Sequence, residues 1–266
     1  MKDIIGSRLI SITTQMVEAD IIQKEIHALI IGDEILSGKR EDKHLAHLIK
    51  TLKSYGLYIS KADYITDDLD TIKKTIGSKI GNIVFCFGGI GATPDDHTRK
   101  AASLAHKQPL TQHPEAKVLI EKQFGDGAYP KRILMADLPQ YAHIIPNIIN
   151  NVPGFFINHH YFMPGFPEMA WPMIDWVIKN QYKFLINLKN IEDQSIWLDD
   201  VSESKLIDTM QKIQKDNEHI KIYSLPKLRP KKTLELGIKG KSELVSQAMK
   251  ELKKNLKKLK YDWREN

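Results

Sequence analysis

The 266-residue chain has a single cysteine, Cys86. That excludes an internal disulfide framework and suits a reducing compartment. Cys86 sits inside an apolar run, so it reads as a small core residue rather than a nucleophile. No apolar run approaches the ~20 residues of a membrane span. The first residues, M-K-D-I-I-G-S-R-L-I-S-I, mix acid with base and lack the apolar block of a signal peptide. The expected location is the cytoplasm, with no membrane partner. Excess positive charge is missing from residues 1–180, which hold 20 basic and 20 acidic residues. The net charge of +6 belongs to residues 181–266, with 19 Lys+Arg against 13 Asp+Glu. Such an excess reads as a solvated surface in preference to a nucleic-acid site.

The remaining composition is that of a globular chain, long enough for one large or two modest domains. Residues 1–24 carry no clear motif and read as a helix or a disordered leader. Residues 26–31, I-H-A-L-I-I, form a strand-type run that ends at Gly32, Asp33 and Glu34. His27 within it reads as structural. Leu45, Leu48, Ile49 and Leu52 then line one helical face, and Gly56 follows as a stop. Residues 57–64 read as a second strand, followed by Thr66, Asp67 and Asp68. Asp68 fits the cap of a helix carrying Leu69, Ile72, Ile76 and Ile80.

The centre of the pattern is residues 83–98, I-V-F-C-F-G-G-I-G-A-T-P-D-D-H-T. A buried strand breaks into Gly88, Gly89 and Gly91, then into Asp95 and Asp96 at a helix start. Glycines there permit positive φ and close approach of a ligand to the main chain. Free N–H groups at such a turn favour phosphate, whereas the acids could equally cap the helix. Strand–helix alternation at this spacing predicts an α/β fold with a mostly parallel sheet between helices. Right-handed crossovers would bring three acid-bearing loops to one sheet edge: Gly32–Asp33–Glu34, Thr66–Asp67 and residues 88–96.

Residues 99–123 read as helical with a break at Pro109 and Pro114. Residues 124–131, F-G-D-G-A-Y-P-K, read as a surface loop or a mobile flap. Pro153–Gly154 and Pro164–Gly165 bracket a predicted hairpin that feeds a helix from Glu168. His159 and His160 fall at its tip and are expected in solvent. Beyond a boundary near residues 180–192, the pattern is β-α-β-β-α, a small basic α+β domain. Gly237–Ile238–Lys239–Gly240 matches the G-x-x-G of KH domains, but it follows a strand where that loop should join two helices. Lys253, Lys254, Lys257, Lys258 and Lys260 read as a solvated helix end.

Four stretches carry a family resemblance: G-D-E-I-L-S-G at 32–38, Y-I-T-D-D at 64–68, G-G-I-G-A-T-P-D-D-H-T at 88–98 and P-G-F-P-E-M at 164–169. Residues 25–185 resemble the molybdopterin-binding (MoCF, MoaB/MogA-like) domain, and within it the amino-terminal part of the competence-damage-inducible protein A (CinA) family. Residues 190–266 resemble the small second domain of CinA-type proteins. No stretch resembles the CinA amidase domain, so amidase activity is not implied. Two positions depart from the family pattern. His44 stands where the family carries Asn. Asn150, Asn151 and Val152 replace Gly-Thr-Ala in a segment that lies near the ligand in relatives.

The resemblance implies catalytic roles for Asp67 and Asp96. It implies a ligand site drawn from Gly32, Asp33, Glu34, Gly88, Gly89, Gly91, Thr93, Asp95, Thr98, Pro153, Gly154, Pro164, Gly165, Pro167 and Glu168. The glycine amides would meet a phosphate, with Mg²⁺ or Mn²⁺ between phosphate and carboxylates. The metal ligands are left unassigned. CinA-type relatives imply a metal-dependent hydrolase of a nucleotide pyrophosphate such as ADP-ribose or FAD. The alternatives are molybdopterin binding or adenylylation in cofactor biosynthesis, and a non-catalytic ligand-binding regulator. A small phosphorylated ligand and a homo-oligomer, by analogy a dimer, are the expected partners; nucleic acid is not.

Overall fold

A run as apolar as β1 (Ile26–Ile31) has no wet face, and it is buried along its whole length. It pairs in parallel with β2 (Lys61–Ile65) on one side and β3 (Ile83–Phe87) on the other. A hairpin of β7 (Gly154–Ile157) and β8 (His160–Met163) then sets β8 parallel to β3. With β6 (His143–Ile145) the sheet order is β2-β1-β3-β8-β7-β6. In this computed structural model the described residues are 21, 23–184 and 191–265. Most of the leader expected at 1–24 lies outside them.

Helices cover both faces. The chain order is α1 (Asp33–Leu36), α2 (His44–Ser54), α3 (Leu69–Gly77), α4 (Thr98–Ala105), α5 (Pro114–Phe124) and α6 (Pro167–Gln181). Successive strand residues point to opposite sides. Leu29, Ile31, Val84 and Cys86 meet Ile72 and Ile76 of α3 and Ala101 and Ala102 of α4. On the other side α2 and α6 pack together, α2 also against β1 and α6 against β8. The parallel α/β sandwich expected from the alternation is therefore what forms. Cys86 is buried, and burial pushes its thiol up, as a core residue requires.

Two local expectations change. Residues 99–123 are not a broken helix. After α4, Lys107 takes φ 55° and Pro109 leads into β4 (Leu110–Gln112). That strand pairs with β5 (Asp137–Pro139), giving its backbone partners that a helix interrupted by proline would lack. Residues 125–128 and 132–136 form short 3-10 turns.

His160 is the second correction. The hairpin loop is Asn158 and His159, with Asn158 at φ 54°, so His160 begins β8 and is 1 % exposed. Its Nε2–H donates to Lys79 O (3.2 Å), leaving Nδ1 to accept from His106 Nε2–H (3.1 Å). Asn158 in turn donates to His106 Nδ1 (3.4 Å). This chain needs both rings neutral. Burial, then His106, lowers the pKa of His160 to about 3; burial lowers that of His106 as well. The unfolded chain thus binds more protons below pH ~6.5. The pair's contribution is full above about pH 6.5 and is lost as pH falls toward 3. The urea midpoint should drop between pH 7 and pH 4, and His160→Phe should flatten that drop. An equally steep drop in the variant would assign the acid sensitivity elsewhere.

The chain divides into two units, residues 1–185 and 186–266. The second unit has β9 (Ile191–Asp199), α7 (Ile207–Asp216), β10 (Ile220–Lys227), β11 (Thr233–Lys241), α8 (Ser242–Lys258) and β12 (Arg264–Glu265). Its antiparallel sheet runs β10-β11-β9-β12, with a core that includes Ile196, Leu198, Leu236, Ile238, Val245 and Leu252. The G-x-x-G at 237–240 lies inside β11, where Tyr223 covers Gly237. It is a strand packing feature, not a backbone clamp between helices. Lys254, Lys257, Lys258 and Lys260 are exposed, while Lys253 pairs with Glu265 at 2.9 Å. Among the described residues no helix is long and apolar enough to cross a membrane.

Candidate functional site

The three acid loops do meet at the carboxyl edge of β1, β2 and β3. Asp33 N donates to Asp67 Oδ2 at 2.9 Å, joining the first two. Burial does most to raise the Asp67 pKa; the bond from the Asp33 amide opposes it, and the Asp33, Glu34 and Asp95 charges raise it further, so that the net shift is upward. Asp67 therefore holds its proton to a higher pH than an ordinary carboxyl. Its neighbour Asp68 is a cap, accepting Thr71 N at 2.8 Å. Glu34 folds back over Gly32, where a Cβ would stand 2.8 Å from Glu34 Oε2.

The third loop is a glycine turn with little freedom. Gly88 (φ 104°) donates to Met163 O at 3.0 Å, and a Cβ on it would lie 2.2 Å from Ile31 O. Gly89 (φ 67°) is as tight, against Thr98 Oγ1 at 2.3 Å. Thr98 is buried and holds both glycines: Oγ1 donates to Gly88 O (2.9 Å) and N to Gly89 O (3.0 Å). Asp96 neither caps α4, whose N-cap is His97, nor projects freely. It closes the turn, accepting Gly91 N (3.0 Å), Thr93 N (2.7 Å) and the Thr93 hydroxyl. Asp95 is exposed; its hydrogen bond to Thr93 keeps its pKa low.

These bonds redistribute the amides expected to meet phosphate. Those of Gly88 and Gly91 are already engaged. Among the described residues the amides of Gly89, Ile90 and Ala92 have no internal acceptor.

Sequence reasoning missed the residue that sets this turn, Arg99. It is buried and donates to four carbonyls: Ile90 (3.1 Å), Gly91 (2.8 Å), Asp137 (3.1 Å) and Leu134. Nothing in its spacing signals this, because all four acceptors are backbone atoms and two of them, of Leu134 and Asp137, lie 35 and 38 residues further on.

The facing lip is Pro164–Glu168. A Cβ on Gly165 would sit 3.6 Å from Gly88 Cα. His44 joins the two lips. Its ring stacks on Phe87 (4.7 Å, 18°), and its Nε2 bonds Gly165 O at 3.2 Å. Burial, more than anything else, lowers its pKa. Pro167 starts α6 and Glu168 lies exposed in its first turn. Pro153 and Gly154 are buried beneath, Gly154 packing against Phe162 O. The segment that departs from the family pattern is a closed loop. Asn147 Nδ2 donates to Asn150 Oδ1 (2.8 Å) and Val152 O (2.9 Å), and Asn151 bonds Gln123. Asn150 reaches Met169 Sδ at 3.6 Å, which places this loop against the start of α6.

Among the described residues no three His, Cys, Asp or Glu side chains are gathered to hold a metal. The donor set suits Mg²⁺ or Mn²⁺ only in the manner of Mg²⁺ at nucleotides, one or two carboxylates plus ligand phosphate oxygens. The Asp33, Glu34 and Asp95 charges that crowd Asp67 are the repulsion a cation at this edge would offset.

Fold and edge loops together define an α/β protein whose acidic loops meet at the carboxyl edge of its parallel strands, the edge at which open α/β sheets in general take ligands. The chain belongs to the family described as a probable molybdopterin-binding domain, whose model matches residues 27–183. A CinA-like protein of Desulforapulum autotrophicum is 32% identical over 164 residues, 58% of this chain and 39% of that protein. The chain thus matches about two fifths of that relative's length. A protein of Saccharolobus islandicus is 27% identical over 241 residues, covering 85% of this chain and 90% of its own length. The solved structure of the protein CinA of unknown function from Thermoplasma acidophilum superposes with a TM-score of 0.55 at 25% identity. It covers 59% of this chain and 98% of that one.

Proposed function

We propose that this chain is a metal-dependent hydrolase of a nucleotide pyrophosphate, of the ADP-ribose or FAD type. The observation that carries the reading is Asp67, a carboxylate with a raised pKa beside unengaged backbone amides. The amides of Gly89, Ile90 and Ala92 receive one phosphate of the ligand. Asp67 takes a proton from a water that attacks phosphorus, and the P–O–P bond breaks to give two phosphomonoesters. A bound Mg²⁺ or Mn²⁺ supplies offset of the carboxylate–phosphate repulsion and polarisation of the phosphorus centre. Asp96 acts as the brace of the turn. His44, Thr98 and Arg99 are positioning residues that hold the two lips.

Incubation with Mg²⁺ or Mn²⁺ and ADP-ribose, FAD or NAD, followed by chromatography of the products, tests this. Cleavage of at least one is expected, and Asp67→Asn should slow it on the order of a hundredfold. Three uncut substrates, or an Asp67→Asn variant as fast as the parent, would remove the proposal. The second reading is molybdopterin binding without hydrolysis, supported by the description of the matching family model. It expects stoichiometric retention of molybdopterin by the purified chain.

A further inference from the structure

We infer that the cavity between the glycine turn and residues 127–135 is the pocket for the nucleoside monophosphate half of the ligand. Its place as half of one substrate rests on the pyrophosphate reading above. The cavity has a volume of about 480 Å³. That is in the range of roughly 300–1,000 Å³ usual for small-molecule sites. Ala92 and Thr93 form one wall, so the cavity continues directly from the amides proposed to hold phosphate. The opposite wall is Tyr129, Lys131, Arg132 and Met135.

The chemistry of that wall is specific. Tyr129 is 51% exposed, an aromatic surface the core does not use. Its hydroxyl is tied to Glu121, which fixes the ring from its far end. A fixed ring beside a thioether offers a stacking platform for a planar heteroaromatic base. Arg132 is held at its post: its guanidinium lies 4.7 Å over the Phe124 ring and donates to Gly127 O at 3.0 Å. A guanidinium has further N–H donors in a planar fork, which matches a phosphate. Lys131 is exposed beside it. Among the described residues neither cation pairs with a carboxylate. The site is thus polarised, with Asp33, Glu34, Asp67 and Asp95 toward one end and two unpaired cations at the other. A dinucleotide-type substrate fits this polarity. Its scissile phosphate lies over the glycine turn. Its next phosphate meets Lys131 and Arg132, and its base stacks on Tyr129.

Calorimetry on the full chain with Mg²⁺ and two probes separates the two halves. AMP carries a ring and a phosphate; methylenediphosphonate carries two phosphorus groups and no ring. The variant Tyr129→Ala should weaken AMP at least about tenfold, the worth of one stacked base, and leave methylenediphosphonate, which has no ring, unchanged. Tyr129→Phe, which keeps the ring and loses the Glu121 bond that fixes it, should retain most of the AMP affinity that Tyr129→Ala loses. Unchanged AMP affinity in Tyr129→Ala would overturn the pocket, as would a parallel loss of both probes in that variant. A parent chain that binds AMP through these residues but not methylenediphosphonate would keep the pocket and remove the pyrophosphate reading.

Discussion

Gly88→Ala should destabilise the N-terminal unit by about 3 kcal/mol or more, through left-handed backbone strain and overpacking together. Gly88 sits at φ 104°, and the added Cβ would stand 2.2 Å from the carbonyl oxygen of Ile31. That oxygen belongs to a central strand buried on both faces, so it cannot step aside as a flexible side chain would. Gly81→Ala is the internal control. It has nearly the same φ, 100°, but nothing within 4 Å of the added carbon. It should cost only the dihedral strain, about 1 kcal/mol. Hydrogen exchange resolved by peptide reads the effect where it arises, at β1 and β3. Equal losses in the two variants would show that the contact with Ile31 contributes nothing.

The second large effect concerns the ion pair of Lys79 and Asp63. Lys79 has a side chain only 2% exposed, and its ammonium donates to Asp63 Oδ2. Asp63 also meets Lys61 at 3.3 Å. Burial alone would raise the Asp63 pKa, but Lys79 and then Lys61 outweigh it and hold it down. The pair's contribution is therefore complete above the ordinary carboxylate range and is lost as pH falls through the depressed value. Asp63→Ala leaves a buried ammonium without its partner, which costs roughly 3–5 kcal/mol. Adding Lys79→Met to that variant should restore most of the loss, because an apolar pair of similar volume is often neutral in such a place. Failure of the second substitution to restore stability would place the damage in packing around β2 rather than in the stranded charge.

Much of the fold was legible because strand and helix periods differ. The apolar runs at 26–31 and 83–87 could be read directly, as could Leu48 and Leu52 of α2 and Ile72 and Ile76 of α3, whereas Ile49 and Ile80, read onto the same faces, are exposed. The convergence of three loops followed from right-handed crossovers, and the Asp33–Asp67 bond is its local signature. Beside the strand β4 missed within residues 99–123, another failure was finer than one period. Placing His160 at the hairpin tip was an error of one residue, and one residue exchanges buried for exposed. The glycine amides could not be apportioned from sequence, since Gly88 gives its hydrogen to Met163, a residue of a strand made much later in the chain. The brace formed by Asp96 was closer to hand. Thr93 precedes it by three residues, the spacing at which a carboxylate reaches back to amides of its own turn.

That late strand bears on how the chain is made. β3 is completed at Phe87, but its second neighbour, β8, begins only at His160. Met163 supplies the acceptor for Gly88, and Gly165 the opposing lip. During synthesis the glycine turn therefore leaves the ribosome well before the residues that shape it. Until β8 docks, one edge of β3 is an open ladder and the glycine turn has no facing lip. A chain stopped anywhere short of Gly165 would carry every acidic residue of the edge loops and still lack the lip that closes over Gly88.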